Sequence, residues 1–172
     1  ICVLGPTASG KTRYAVQLAR QINALLDSRA ERVASEDRAT RGTEAGGPQA
    51  KRSGGVSEAN VRAATLSALP CAGAHAEIIS ADSRQVYRGM DIGTGKDLNE
   101  YEEIPYHLMD IVDAGEKYNI FEYQRDFEKA YRDIRDRGCI PILCGGSGLY
   151  IEAATCGYSL PEVPADPQLR AE

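Results

Sequence analysis

The sequence predicts an α/β protein built on a doubly wound, mostly parallel sheet with helices on both faces. Three observations lead there. Residues 1–4, Ile-Cys-Val-Leu, form an apolar strand-like run that breaks at once into a glycine-bounded loop and a helix. Residues 140–144, Ile-Pro-Ile-Leu-Cys, form a second continuous apolar run, the pattern of a strand buried on both faces of a parallel sheet. Between them strands and amphipathic helices alternate in the order β-α-β-β-α-β-α, which puts ligands at the carboxyl ends of the strands.

The first loop carries the most chemistry. Gly5, Pro6, Thr7, Ala8, Ser9, Gly10, Lys11 and Thr12 spell G-x-x-x-x-G-K-[ST] between a strand and a helix, the context this phosphate-binding motif requires. The glycines let backbone N–H groups converge on an anion, and the helix adds its positive N-terminal end. Lys11 brings a mobile cation and Thr12 a hydroxyl suited to Mg²⁺. The fold class is therefore P-loop NTPase-like, and the ligand a di- or triphosphate. The loop does not say which reaction follows, because kinases, ATPases, GTPases and transferases share it.

The helix after the loop shows an apolar stripe of Tyr14, Ala15, Leu18, Ala19 and Ile22 at a period of 3.6. Residues 24–76 then change texture. They contain no Ile, Phe or Tyr, and their seven basic and six acidic residues nearly cancel. Such a stretch buries too little apolar surface to offset the entropy of ordering it, so a low-complexity, disordered insertion is expected over 24–76, with one short helix near 58–69. The core is then 1–23 and 77–172.

Within the second part, Ile78 and Ile79 begin a strand and residues 107–112 suggest another. Asn119 followed by Glu122 reads as a capping box, opening a helix whose Ile120, Phe127, Ala130, Tyr131 and Ile134 share one face. Gly138 ends that helix. After the strand at 140–144, Gly145-Gly146-Ser147-Gly148 turns into a helix from about Leu149.

Bulk properties narrow the function. The 172 residues carry 20 basic and 25 acidic groups, a net charge of −5, which does not suit a chain that coats nucleic acid over its whole surface. No apolar run approaches a membrane span. The five cysteines, Cys2, Cys71, Cys139, Cys144 and Cys156, show no metal-ligand spacing, and Cys2, Cys139 and Cys144 read as reduced core thiols. His107 reads as structural and His75 as solvated. A cytoplasmic protein is expected. The chain opens inside a strand without an initiator Met and closes soon after the proline-rich stretch 161–167, the pattern of a piece of a longer protein, truncated at the C-terminus.

Two more segments fall at strand ends. Residues 80–87 bring Asp82, Ser83, Arg84 and Gln85 together. There Asp82 suits a Mg²⁺ ligand, a base or a helix cap. Residues 91–96, Asp-Ile-Gly-Thr-Gly-Lys, resemble a second phosphate loop, but Met90 stands where its first glycine belongs.

Taken together, residues 5–12, 77–94, 105–111 and 141–150 resemble the tRNA dimethylallyltransferase family, also called tRNA isopentenyltransferases. The combination of a phosphate loop with Asp82-Ser83-Arg84-Gln85-Val86-Tyr87 and with Gly89-Met90-Asp91-Ile92-Gly93-Thr94 carries the resemblance. It implies transfer of a dimethylallyl group from dimethylallyl diphosphate to N6 of the adenine 3′ to the anticodon of tRNA. It implies Asp82 as general base, Thr7 beside the reacting centre, and Asp82, Ser83, Arg84, Gln85 and Ser147 as contacts to tRNA. The partners implied are tRNA and dimethylallyl diphosphate, the metal Mg²⁺, and the state a monomer. A motif reading would label the same loop ATP-binding. The chain departs from the family in its 24–76 insertion, in Gly95 for Ala, in Ser147 for Thr, in Tyr106 for His, and in stopping before a helical tRNA-gripping part and a diphosphate-binding arginine. A small-molecule P-loop kinase and a non-catalytic P-loop fragment are the alternatives.

Overall fold

The computed structural model describes residues 1–6, 8–41 and 73–158, the side chains of 37 and 39–41 excepted. Four strands, β1 (Cys2–Leu4), β2 (Ala76–Ala81), β3 (Tyr106–His107) and β4 (Ile140–Gly145), form one parallel sheet in the order β1-β4-β2-β3. Three helices, α1 (Lys11–Arg41), α2 (Ile120–Asp136) and α3 (Gly148–Cys156), and a 3₁₀ turn at Leu98–Glu100 complete it.

The sheet separates two cores, as a buried parallel sheet must. Ile78 of β2 and Ile142 and Cys144 of β4 meet Ala15, Val16 and Ala19 of α1 on one face. Their neighbours Ile79 and Leu143 meet Tyr123, Phe127 and Ile134 of α2 and Tyr150 of α3 on the other. Neighbouring side chains thus serve opposite faces, and the doubly wound arrangement with helices on both faces is present. The Tyr123 and Tyr150 rings stack with centroids 3.9 Å apart, and the Tyr123 hydroxyl donates to the Ser80 carbonyl oxygen at 3.2 Å.

The ends of α2 follow local chemistry. Asn119 accepts from the Phe121 and Glu122 amides, and the Glu122 carboxylate accepts from the Asn119 amide at 2.6 Å, a complete capping box. At the other end Gly138 takes φ +74°, while its N–H reaches the Arg135 carbonyl and that of Cys139 reaches Ile134, the Schellman arrangement that closes the helix and aims β4. Tyr123 rather than Tyr131 supplies the core on this helix, Tyr131 being exposed.

Three expectations need correction. α1 runs on to Arg41, so 24–41 is helical rather than part of a disordered insertion; this stretch lacks Gly and Pro and is rich in helix formers, which hold it even where Leu25 is 69% exposed. The remainder to 72, including the short helix expected near 58–69, lies outside the described residues. The strand expected at 107–112 shortens to Tyr106–His107 plus a single bridge from Val112 to Tyr87, because Leu108 and Asp110 both adopt positive φ. Cys2 is exposed on the edge strand β1, whereas Cys139 and Cys144 are buried thiols as expected.

Candidate active site

The carboxyl ends of β1, β2 and β4 converge on one cleft of about 590 Å³. Two glycines permit the convergence. A Cβ on Gly145 would stand 2.3 Å from the Ala81 carbonyl oxygen, and one on Gly146 would stand 2.7 Å from that of Gly5. The end of β4 is therefore pressed against both the end of β2 and the start of the phosphate loop.

The loop has the curvature its motif predicts. Gly10 takes φ +77°, and Ala8, a residue with a Cβ, takes φ +60°, a conformation that persists where surrounding structure enforces it. α1 begins at Lys11 with no acidic residue in its first turn, leaving its positive end open to an anion. The Lys11 ammonium donates to the Pro6 carbonyl at 2.6 Å, and Gly5 lies close to Ser9, whose hydroxyl a Cβ there would meet at 3.1 Å. Thr12 hydrogen-bonds the Tyr101 phenol; burial above all, with Cys144 adding to it, pushes that phenol well above its ordinary value against the pull of Thr12. Thr7 lies outside the described residues.

The segment after β2 is a turn and not a helix, so Asp82 caps no helix. Its Oδ1 accepts from the Arg84 amide at 2.9 Å, and its side chain lines the same cleft as Lys11 and Thr12. Ser83 and Arg84 are exposed beside it. Ser147 reaches across from β4: its hydroxyl oxygen accepts from the Ser83 amide at 2.9 Å and its own amide donates to Ala81 at 3.1 Å.

Gln85 has a different place from its neighbours. It is 7% exposed, its amide oxygen accepts from the Ser80 hydroxyl at 3.0 Å, and its amide nitrogen donates to the Gly95 carbonyl at 3.2 Å. It ties the 91–96 loop to β2 and faces the cleft from within. Lys96 in that loop is buried, donating to the Tyr87 carbonyl at 2.9 Å and pairing with Asp91 and Asp110. Its charge is neutralised in place, so the segment makes no second phosphate loop.

The reading from residue types missed Tyr101 and Cys144, which line the cleft without any motif to announce them. Burial raises the Cys144 thiol to about 11, with Lys11 pulling it down and Asp82 pushing it up. The electrostatic balance of the cleft was not legible either. Asp82, Asp91, Asp97 and Glu100 line it, while its two lysines are Lys11 and the already paired Lys96.

A parallel sheet, a P-loop at its switch point and a second carboxylate-bearing strand end define a P-loop NTPase-like α/β protein. A family model described as IPP transferase matches residues 85–172, and the chain belongs to that family. It is 43% identical over 174 residues to tRNA dimethylallyltransferase 2 of Bacteroides fragilis, covering 99% of this chain and 40% of the relative. It is 42% identical over 172 residues to tRNA dimethylallyltransferase 1 of Geotalea daltonii, covering 100% of this chain and 39% of the relative. Among solved structures, full-length tRNA isopentenylpyrophosphate transferase from Bacillus halodurans superposes with a TM-score of 0.61 at 30% identity, covering 99% of this chain and 39% of that one. The chain thus spans about two fifths of the length of these relatives. No helix among the described residues is long and apolar enough to cross a membrane.

Proposed function

We propose that this chain is the diphosphate-binding catalytic part of a cytoplasmic, monomeric tRNA dimethylallyltransferase. The observation that carries the reading is the single cleft in which the phosphate loop, Lys11 and Asp82 meet. Dimethylallyl diphosphate would place its phosphates on the loop amides and Lys11, with the prenyl carbon turned towards Asp82. The N6 amine of adenine attacks that allylic carbon, the carbon–oxygen bond breaks, diphosphate leaves and the amine proton passes to the Asp82 carboxylate. Loop amides and Lys11 oppose the negative charge gathering on the leaving group. Adenine reaches the cleft only by leaving its stack, as bases do in other base-modifying enzymes. Ser83 and Arg84, exposed in the turn after Asp82, and Ser147, bonded to the Ser83 amide, would then meet the nucleotides around that adenine. Thr7, whose place is in the loop, belongs to the same reading.

Mg²⁺ fits the donor set. Thr12 offers a hydroxyl and Asp82 a carboxylate, hard oxygen donors suited to this ion. With Asp91 paired to Lys96, the three carboxyl side chains of Asp82, Asp97 and Glu100 face Lys11 alone, which also calls for a cation to accompany a diphosphate into the cleft. Bound there, Mg²⁺ would neutralise phosphate charge, and nothing in the reaction calls for ATP hydrolysis.

The test is made on the full-length parent with dimethylallyl diphosphate and unmodified tRNA. Mass spectrometry of nucleosides should show adenosine at the position 3′ to the anticodon gaining one dimethylallyl group. Unchanged tRNA, or transfer of a phosphoryl group from ATP, would overturn the assignment.

A further inference from the structure

At the amino ends of β2 and β4, the opposite end of these strands from the phosphate loop, four side chains gather around one buried carboxylate. Glu77, at the start of β2, is 1% exposed. Its Oε1 meets His75 Nε2 at 2.8 Å, its Oε2 meets His107 Nε2 at 2.6 Å, and Arg137 grips both oxygens. Cys139, buried just before β4, puts its Sγ 3.7 Å from His75 Nδ1. Nothing in the proposed transfer reaction uses this cluster.

We propose that His75, Glu77 and Cys139 form a binding site for one divalent cation of intermediate softness, Zn²⁺ or Co²⁺. The three ligand atoms lie within 4.8 Å of one another, the only such group among the described residues. One imidazole, one carboxylate and one thiolate make a donor set that favours these ions over Mg²⁺ or Ca²⁺. Bonds of about 2.0–2.3 Å in a tetrahedral site separate ligands by about 3.5 Å. At Nε2, the ring nitrogen that faces Glu77, the Cys139 sulfur stands 4.0 Å away and Glu77 Oε1 2.8 Å away, so a small turn of the ring closes the first spacing and opens the second. Two of the ligands stand on a rigid frame, because the His75 carbonyl accepts from the Ile140 amide at 2.9 Å and Glu77 is in register with Pro141. His75 itself is half-exposed in the turn before β2, so its ring can move and an ion can enter past it. Water completes the fourth position, and the Cys139 thiol releases its proton to solvent on binding. His107 stays on Oε2 and fixes the carboxylate. Arg137 is the competitor: its guanidinium is half-exposed, also pairs with Asp133, and can keep Oε2 while Oε1 turns to the ion. An occupied site would fasten the chain returning into β2 to the start of β4.

Chelator-treated 172-residue protein is titrated with Co²⁺, and the thiolate-to-metal absorption band is followed. The expected result is one Co²⁺ per chain, displaced by Zn²⁺, with the band lost in Cys139→Ser and in His75→Ala. It should be retained when Cys2, Cys71 and Cys156 are all replaced by Ser. Arg137→Gln should tighten binding severalfold by removing the competing charge. His75→Ala alters a half-exposed turn residue, so its fold is expected to survive, and its thermal unfolding is recorded beside the titration. Absence of the band, its persistence in Cys139→Ser, or an affinity unmoved by Arg137→Gln would overturn the site.

Discussion

Lys11 folds back onto its own loop, its Nζ 2.6 Å from the Pro6 carbonyl oxygen and facing Gly146, whose added Cβ would lie 3.7 Å from it. The ammonium is held at the mouth of the loop, between the ends of β1 and β4, where an anion on the loop amides would meet it. Lys11→Ala should weaken Mg²⁺-pyrophosphate binding about 10–100-fold, the worth of one charge-assisted hydrogen bond. Calorimetric titration of this chain measures it, and an affinity within twofold of the parent would remove Lys11 from the phosphate site.

Asp82 should fail in another way. Asp82→Asn keeps the shape and the bond to the Arg84 amide but loses basicity. In the full-length parent, single-turnover transfer should fall by about 10²–10⁴, with dimethylallyl diphosphate affinity changed no more than a few-fold. A collapse of affinity together with its Mg²⁺ dependence would make Asp82 a cation ligand instead of a base.

The close approach at β4 predicts an unequal pair of variants. Gly145→Ala drives a methyl into the Ala81 carbonyl and should cost at least about 3 kcal/mol, the upper part of the overpacking range. Gly146→Ala meets the Gly5 carbonyl of the phosphate loop and should reduce phosphate binding beyond its effect on stability. Urea unfolding and pyrophosphate titration of both variants check this. Equal stability of Gly145→Ala and the parent would contradict the packing described.

The Ser147 hydroxyl holds the turn after β2 through the Ser83 amide. Ser147→Ala should lower stability by about 1 kcal/mol and speed hydrogen exchange at Ser83, while Ser147→Thr keeps the hydroxyl and the protection. Equal exchange at Ser83 in all three proteins would show that this bond does not hold the turn.

Cys144 gives a pH dependence of definite sign. Burial raises its thiol from an ordinary value near 9 to about 11. The neutral thiol therefore supports the fold fully below about pH 9, and this support is lost as pH rises towards 11, up to about 2–3 kcal/mol. Urea unfolding at pH 8 and at pH 10.5 should show a loss in the parent that Cys144→Ala reduces. At pH 8 a thiol reagent should label Cys2 and Cys156 and spare Cys144. Rapid labelling of Cys144 would contradict its burial.

Features made by adjacent residues were legible in the sequence. The strand–loop–helix at the start, the Asn119–Glu122 capping box and the Gly138 stop each follow from residues within a few positions of one another. Features made by register were not. His75, Glu77, His107, Arg137 and Cys139 are scattered in sequence and meet only because β2 pairs with β3 and β4, so His75 read as solvated. β3 was overextended because no side-chain pattern announces the positive φ of Leu108 and Asp110. The full length of α1 was not legible, because residues 24–41 bury little apolar surface and are held by their helix formers. Of the candidate site, the loop and Asp82 were readable as motifs, while the inward turn of Gln85 and the acidic lining needed the third dimension.

The central claim, that the cleft is built for a prenyl diphosphate, is tested most directly by thermal unfolding of this chain with Mg²⁺ and pyrophosphate, dimethylallyl diphosphate or ATP. Dimethylallyl diphosphate should raise the unfolding temperature at least as much as pyrophosphate, and ATP should raise it no more than either. A larger shift with ATP than with both diphosphates would contradict the account and turn the cleft into a nucleotide site.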